Sequence, residues 1–222
     1  MALDRPYSFE KPSIRFRTTD NIFDEIKDYV SDRRISHKTD DSILYTGELS
    51  NRNVPSVYRI VAEMALDRAR EFGYNPIAKI RYTFDTNPVQ PNSFQRLAEW
   101  HLDADAPDRR AEYNLEDVLT SSDVEPTLVA VAPSSNITND EELISYVRKR
   151  PYLPQDYYDN PAHVVSEGIA KGLIQIHQPA PCDAISIKNH FHASPVNNTN
   201  ERYNRTFWRM ILMSRNEIVE ES

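Results

Sequence analysis

Two short patterns in this 222-residue chain gather side chains able to do chemistry. The first is Trp100-His101-Leu102-Asp103. On a strand, residues i and i+2 point to the same face, so His101 and Asp103 can reach one point together. The second is Asn189-His190-Phe191-His192-Ala193-Ser194-Pro195, just beyond an apolar strand expected at Ala184 to Ile187. The patterns lie far apart in the chain, so a site joining them must be assembled by folding. Two imidazoles and one carboxylate on one face of an octahedral metal leave three positions open. Nitrogen and oxygen donors in that arrangement suit Fe(II) with a cosubstrate and dioxygen. The distal ligand expected is His192, which directly precedes the Ala-Ser-Pro turn; His190, two residues earlier, is the alternative. Asp103 is preferred to Asp105 because Ala106-Pro107 ends the strand.

The C-terminal segment adds cations. In Arg205-Thr-Phe-Trp-Arg209-Met-Ile-Leu-Met, alternation puts Arg205, Phe207, Arg209 and Ile211 on one face and Trp208, Met210 and Leu212 on the other. A guanidinium on such an apolar strand needs an anionic partner. A bound dicarboxylate held bidentately is one, and a structural Asp or Glu is the other.

Those residues need elements to position them. Helical spacing of Ile22, Phe23, Ile26, Tyr29 and Val30 predicts a helix capped by Thr19 or Asp20. A second helix is expected from Pro55-Ser56, with Val57, Ile60, Val61, Met64 and Ala65 inward, ending at Gly73. Strands are expected at Ile77 to Phe84, Phe94 to Asp103, Pro126 to Ala132, Leu173 to His177, Ala184 to Ile187 and Arg205 to Met213. A polar loop is expected around Asn87 to Asn92, and further helices at Asp140 to Arg148 and Pro161 to Lys171. Helices first and short strands afterwards predict a single α+β domain: a helical buttress over residues 1–75 and a β core over 76–214.

Composition removes the competing chemistries. Four glycines, against the roughly fifteen that about 7% would give, include no dinucleotide or P-loop spacing. A formal charge of −8 gives no support to nucleic-acid binding. The one cysteine, Cys182, makes neither an intrachain disulfide nor a thiolate cluster. No apolar leader or membrane-length apolar run is present, so a cytoplasmic, membrane-free protein is expected. No G-x-S-x-G elbow supports a serine hydrolase.

The combination His101-Leu-Asp103, then Cys182-Asp183-Ala-Ile-Ser-Ile-Lys-Asn-His-Phe-His192, then Arg202, Arg205 and Arg209, resembles the Fe(II)- and 2-oxoglutarate-dependent oxygenases. The resemblance spans roughly residues 77 to 214. It implies a double-stranded β-helix (jelly roll) and a metal held by His101, Asp103 and His192. It also implies 2-oxoglutarate paired with Arg205, with Arg209 the second choice. Activity on a small molecule, with dioxygen consumed and succinate and CO₂ released, is the function implied, and hydroxylation the favoured outcome. The family often carries glycine where Cys182 stands. If His190 also bound metal, the set would resemble a cupin instead, and a jelly-roll binding module would use none of these residues. Arg81, Tyr82 and Thr83 are candidates to line the pocket. The stretches Asp105 to Val124 and Tyr152 to Pro161 are expected to close over it as loops.

Overall fold

Apolar residues alternate along most strands of this chain, and two antiparallel sheets use that alternation to enclose one interior. The computed structural model describes residues 8–32, 42–50, 54–95, 100–102, 112–133 and 159–215. Asp103, Asp105, the helix expected at Asp140 to Arg148 and most of Tyr152 to Pro161 lie outside them.

The larger sheet has the order β1-β7-β4-β9-β3-β2. Its strands are β1 (Ile14–Arg17), β2 (Ser42–Tyr45), β3 (Ile77–Val89), β4 (Tyr113–Ser122), β7 (Asp183–Ser186) and β9 (Tyr203–Arg215). The smaller sheet has the order β6-β5-β8, from β5 (Leu128–Val131), β6 (Gln175–His177) and β8 (His192–Ala193). Single antiparallel bridges also pair Phe94 with Val196 and His101 with His192. Helices α1 (Asp20–Asp32) and α2 (Ser56–Glu71) cover the outer face of the large sheet; α3 (Asp159–Ala170) packs behind the small one. This is an α+β jelly roll buttressed by N-terminal helices. The N-terminal segment also supplies the two edge strands β1 and β2.

The two faces of β9 follow the alternation expected. Trp208, Met210 and Leu212 pack under the helices with Ile80, Phe84 and Leu119. Trp208 stacks on Phe16 with centroids 5.8 Å apart. Ile211 and Met213 face inward with Val118, Val129, Val131, Ile185 and Ile187.

Three expectations are corrected. Helix α2 buries Val57, Tyr58, Val61, Ala62, Ala65 and Ala69, while Ile60 is 36% exposed. Its stripe is rotated because the alanines let it approach the sheet closely and seat Tyr58 on Tyr82, centroids 4.0 Å apart. Strand β3 runs on through the expected loop to Val89, pairing Asn87, Pro88 and Val89 with Arg205, Asn204 and Tyr203. Pro88 is tolerated there because β2 reaches only to Tyr82 on the other side, so no ladder donor is needed. Third, much of the stretch expected to close as a loop, Asp105 to Val124, is strand β4, inserted between β7 and β9. Gly73 ends α2 as expected, at φ +70°, with Tyr74 N donating to Ala69 O and Gly73 N to Arg70 O.

Candidate metal and cosubstrate site

The two histidines meet across the bridge that joins the ends of their segments. His101 N donates to His192 O at 3.0 Å and His192 N to His101 O at 2.9 Å. Residues directly opposite in an antiparallel pair share a face, and the ring centroids lie 4.3 Å apart. Their neighbours Leu102 and Phe191 pack behind the sheet with Ala130, Val164 and Val165. The histidines therefore point the other way, into the space between the sheets. His192 pairs with Val129, which packs on that inner side against Val118 and Ile211.

His192 is 4% exposed, and its Nδ1 lies 3.0 Å from the His190 carbonyl oxygen. A carbonyl only accepts, so Nδ1 carries the proton and Nε2 the lone pair. Metal-ligating histidines are commonly oriented in this way by a backbone carbonyl on the other nitrogen. His190 itself has Nδ1 2.9 Å from Lys188 O and Nε2 3.2 Å from Glu10 O. A neutral ring donates to one of these main-chain oxygens, and burial pushes its pKa down from 6.5. His190 lines a cavity with Glu10 and Lys188. His177 pairs with Val129 from the other side, so His177, Val129, His192 and His101 form one row. Among the described residues no three potential ligands gather as a metal cluster; the third expected ligand, Asp103, lies outside them.

Facing this row is the inner surface of the large sheet. Arg209 pairs with Thr83 on one side and Thr120 on the other, and Thr120 with Ile185. A guanidinium is thus set between two threonines, both 1% exposed. The next inner row holds Arg81 beside Ile211 and Val118; the row on the other side holds Asp85, Phe207 and Ser122. Of the pocket-lining candidates, Arg81 and Thr83 are on this surface, whereas Tyr82 packs under the helices.

Arg205 occupies a different position. It is 1% exposed, with Nε donating to Glu125 O at 2.8 Å and Val124 O at 3.3 Å, and Nη1 to Gln95 Oε1 at 2.8 Å. Gln95 Nε2 donates back to Arg205 O at 2.9 Å. Arg205 therefore stands level with Gln95. Arg209 lies further along β9, two residues from Ile211, which packs with His192's partner Val129. Arg202 is exposed ahead of the strand.

Thr120 and Gln95 were not singled out by sequence reading. Thr120 shares an inner alternation with Val118 and Ser122, but a bulge between Leu115 and Asp117 breaks the period just before it. Cys182 explains the missing glycine: its φ is +67°, the region glycine favours. The thiol is buried, its Sγ 3.4 Å from Asp20 Oδ1.

No family model matches the chain, and no curated protein matches it in sequence. Among solved structures it is similar to a Pseudomonas putida prolyl-4-hydroxylase, at 12% identity and TM-score 0.38, over 87% of this chain and 88% of that one. It is also similar to AviO1 from Streptomyces viridochromogenes Tue57, at 14% identity and TM-score 0.41, over 87% and 85%.

Proposed function

We propose that the chain is an Fe(II)- and 2-oxoglutarate-dependent oxygenase that hydroxylates a small molecule. The observation that supports this most directly is the placement of His101 and His192 on one wall of the interior and Arg209, between Thr83 and Thr120, on the other. The donor set fits the metal. Two imidazoles point into the interior, and the His190 carbonyl fixes the His192 tautomer with its lone pair on Nε2. Asp103, two residues after His101 in the sequence, is the third ligand we propose.

Fe(II) and 2-oxoglutarate bound here would activate dioxygen, with one oxygen atom put into a substrate C–H bond and the other into the succinate formed as CO₂ is released. The chain's own contribution is to hold and orient. Arg209 has the planar donor fork that matches a carboxylate, and we assign it, rather than Arg205, to the distal carboxylate of 2-oxoglutarate. Arg205 locks the end of β9 to Gln95 and to the Val124-Glu125 main chain. Val118, Val129, Ile185 and Ile211 make the surrounding interior apolar and exclude water. No described helix is long and apolar enough to cross a membrane, and we place the enzyme in the cytoplasm, acting on a free small molecule.

Anaerobic addition of Fe(II) and 2-oxoglutarate to the intact protein tests the reading. A visible charge-transfer band is expected in the wild type and is lost in His101→Ala, Asp103→Ala and His192→Ala. Succinate release that depends on 2-oxoglutarate is the matching activity. No band, or the same band in all three variants, would overturn the assignment.

A further inference from the structure

A second cavity, of about 350 Å³, lies at the β1–β7–β4 end of the large sheet. It belongs to the helix side of that sheet: Asp117 and Ser186, on its wall, pair with Leu212 and Leu119 of the outer core. Arg209 is on the opposite face.

The hydrogen bonds around this cavity leave donors in excess. Asp117, 1% exposed, accepts from Tyr74 Oη at 2.5 Å, Arg15 Nε at 3.2 Å, Ser186 Oγ at 2.5 Å and Val118 N at 2.8 Å. Four donors fill a carboxylate's acceptor sites, so Asp117 has nothing left for a ligand. Arg15 uses Nε on Asp117 and lies beside the Tyr74 hydroxyl, with its guanidinium 4.0 Å over the Phe72 ring. That stacking holds the rest of the fork in a fixed plane on the cavity wall. Lys188 Nζ donates to two neutral acceptors, Leu115 O at 2.7 Å and Glu116 O at 2.9 Å, which leaves one N–H, its charge shared with the neighbouring Glu116 carboxylate. Lys11 adds a cation at the exposed mouth. Of the remaining acids, Glu116 turns Oε1 to Asn75 and Ser214, and Glu10 is exposed at the mouth.

The geometry points to a second ligand site here that takes a small carboxylate or other oxyanion, bound by Arg15 and Lys188. Its occupancy is felt at His192 through residues 188–190. Lys188 begins that segment, and the His190 carbonyl that ends it orients His192. The His190 ring ties the same segment to Glu10 O on the cavity's opposite lip. This inference stands independently of the oxygenase reading, because it needs neither iron nor 2-oxoglutarate.

The test uses the full chain, metal-free, at constant ionic strength, with NMR detection of arginine Nε–H and histidine ring signals. Benzoate and inorganic phosphate are titrated in separate arms. Saturable shifts at Arg15 and His192 are expected with at least one. A response to benzoate alone assigns an organic carboxylate, and a response to phosphate a phosphate group. Arg15→Lys keeps a cation for Asp117 but loses the fork and is expected to weaken binding about tenfold or more. Lys11→Gln, at an exposed position, is expected to weaken it a few-fold. Arg209→Gln is expected to leave it unchanged, which separates this site from the proposed cosubstrate site. Absence of saturable shifts at Arg15 with both probes would overturn the proposal, as would binding abolished by Arg209→Gln. Because the wild-type shifts locate the ligand directly, a misfolded variant does not remove the test.

Discussion

Replacing each inner-face arginine by glutamine should separate a residue that holds the fold from one that holds a ligand. Arg205→Gln removes donations to Glu125 O, Val124 O and Gln95 from a side chain 1% exposed. Hydrogen bonds to charged groups contribute about 1.5–3 kcal/mol each, but three sharing one guanidinium do not add. Its partners are neutral, so the cost is that of leaving buried acceptors unsatisfied, about 1–3 kcal/mol. In a chain of this size about 1 kcal/mol moves the melting temperature by roughly 2–4 °C, so a fall of about 2–12 °C is expected. Arg209 is only partly buried, so Arg209→Gln should melt near the wild type. It should weaken 2-oxoglutarate by about thirtyfold or more, the lower end of the ~2–5 kcal/mol for unpairing a buried charge. Thermal melts and anaerobic titration of the charge-transfer band measure the two effects on the same samples. If Arg205→Gln melts like the wild type yet loses 2-oxoglutarate, while Arg209→Gln keeps it, the assignment is reversed and the level argument through Gln95 is wrong.

Three further outcomes are expected. Burial, followed by the hydrogen bond to Asp20, pushes the Cys182 thiol up to about 11. It should alkylate slowly at mild alkaline pH until urea exposes it, and equal rates in native and unfolded protein would refute this. A Cβ at Gly168 would stand 2.4 Å from Ile174 Cδ1 and 2.7 Å from its Cγ1, with Ile174 buried. Overpacking of about 1–3 kcal/mol outweighs the ~1 kcal/mol gain in helix propensity, so Gly168→Ala should lower the urea midpoint and Ile174→Val should partly restore it. Burial alone would raise the Glu116 pKa, but hydrogen bonds from Ser214 and Asn75 and the Lys188 charge outweigh it and hold the carboxyl below 4.5. The unfolded chain then takes up the proton first as pH falls, so this stability is lost as pH drops through the folded value. A plot of urea midpoint against pH should therefore be steeper below about pH 4.5 for the wild type than for Glu116→Gln.

The parts of the fold legible in the sequence are those where one period runs unbroken. The β9 alternation assigned Arg205, Phe207, Arg209 and Ile211 to one face because no bulge interrupts it opposite β3 from Lys79 to Val89. Thr120 escaped because the bulge at Glu116 shifts the alternation of β4 by one residue, making a strand read as a loop. The α2 stripe escaped for another reason: alanine carries little hydropathic signal, yet Ala62, Ala65 and Ala69 are the residues that allow close approach. Alternation puts Arg205 and Arg209 on one face and does not choose between them; the contacts of Gln95, which sequence cannot place, fix where Arg205 stands.

The scarcity of glycine bears on the same question of position. Besides Gly73 and Gly172, positive φ falls on Asn92 (56°), Glu125 (45°), Cys182 (67°) and Asn189 (63°). Each lies where the chain crosses from one sheet to the other. Asn92 follows β3 on the way to His101, Glu125 joins β4 to β5, Cys182 joins β6 to β7, and Asn189 joins β7 to β8. Asparagine tolerates this conformation, but for Glu125 and Cys182 it costs about 1–2 kcal/mol. Their main-chain contacts hold them there: Glu125 O receives Arg205 Nε, and Cys182 bonds Ser122 O through N and Thr18 N through O. A glycine would give the same turn with more freedom in the unfolded chain and no side chain to fasten. Cys182 instead sets its thiol against Asp20 at the start of α1, and Glu125 accepts from Gln178. The crossings therefore fix how the two sheets stand relative to one another.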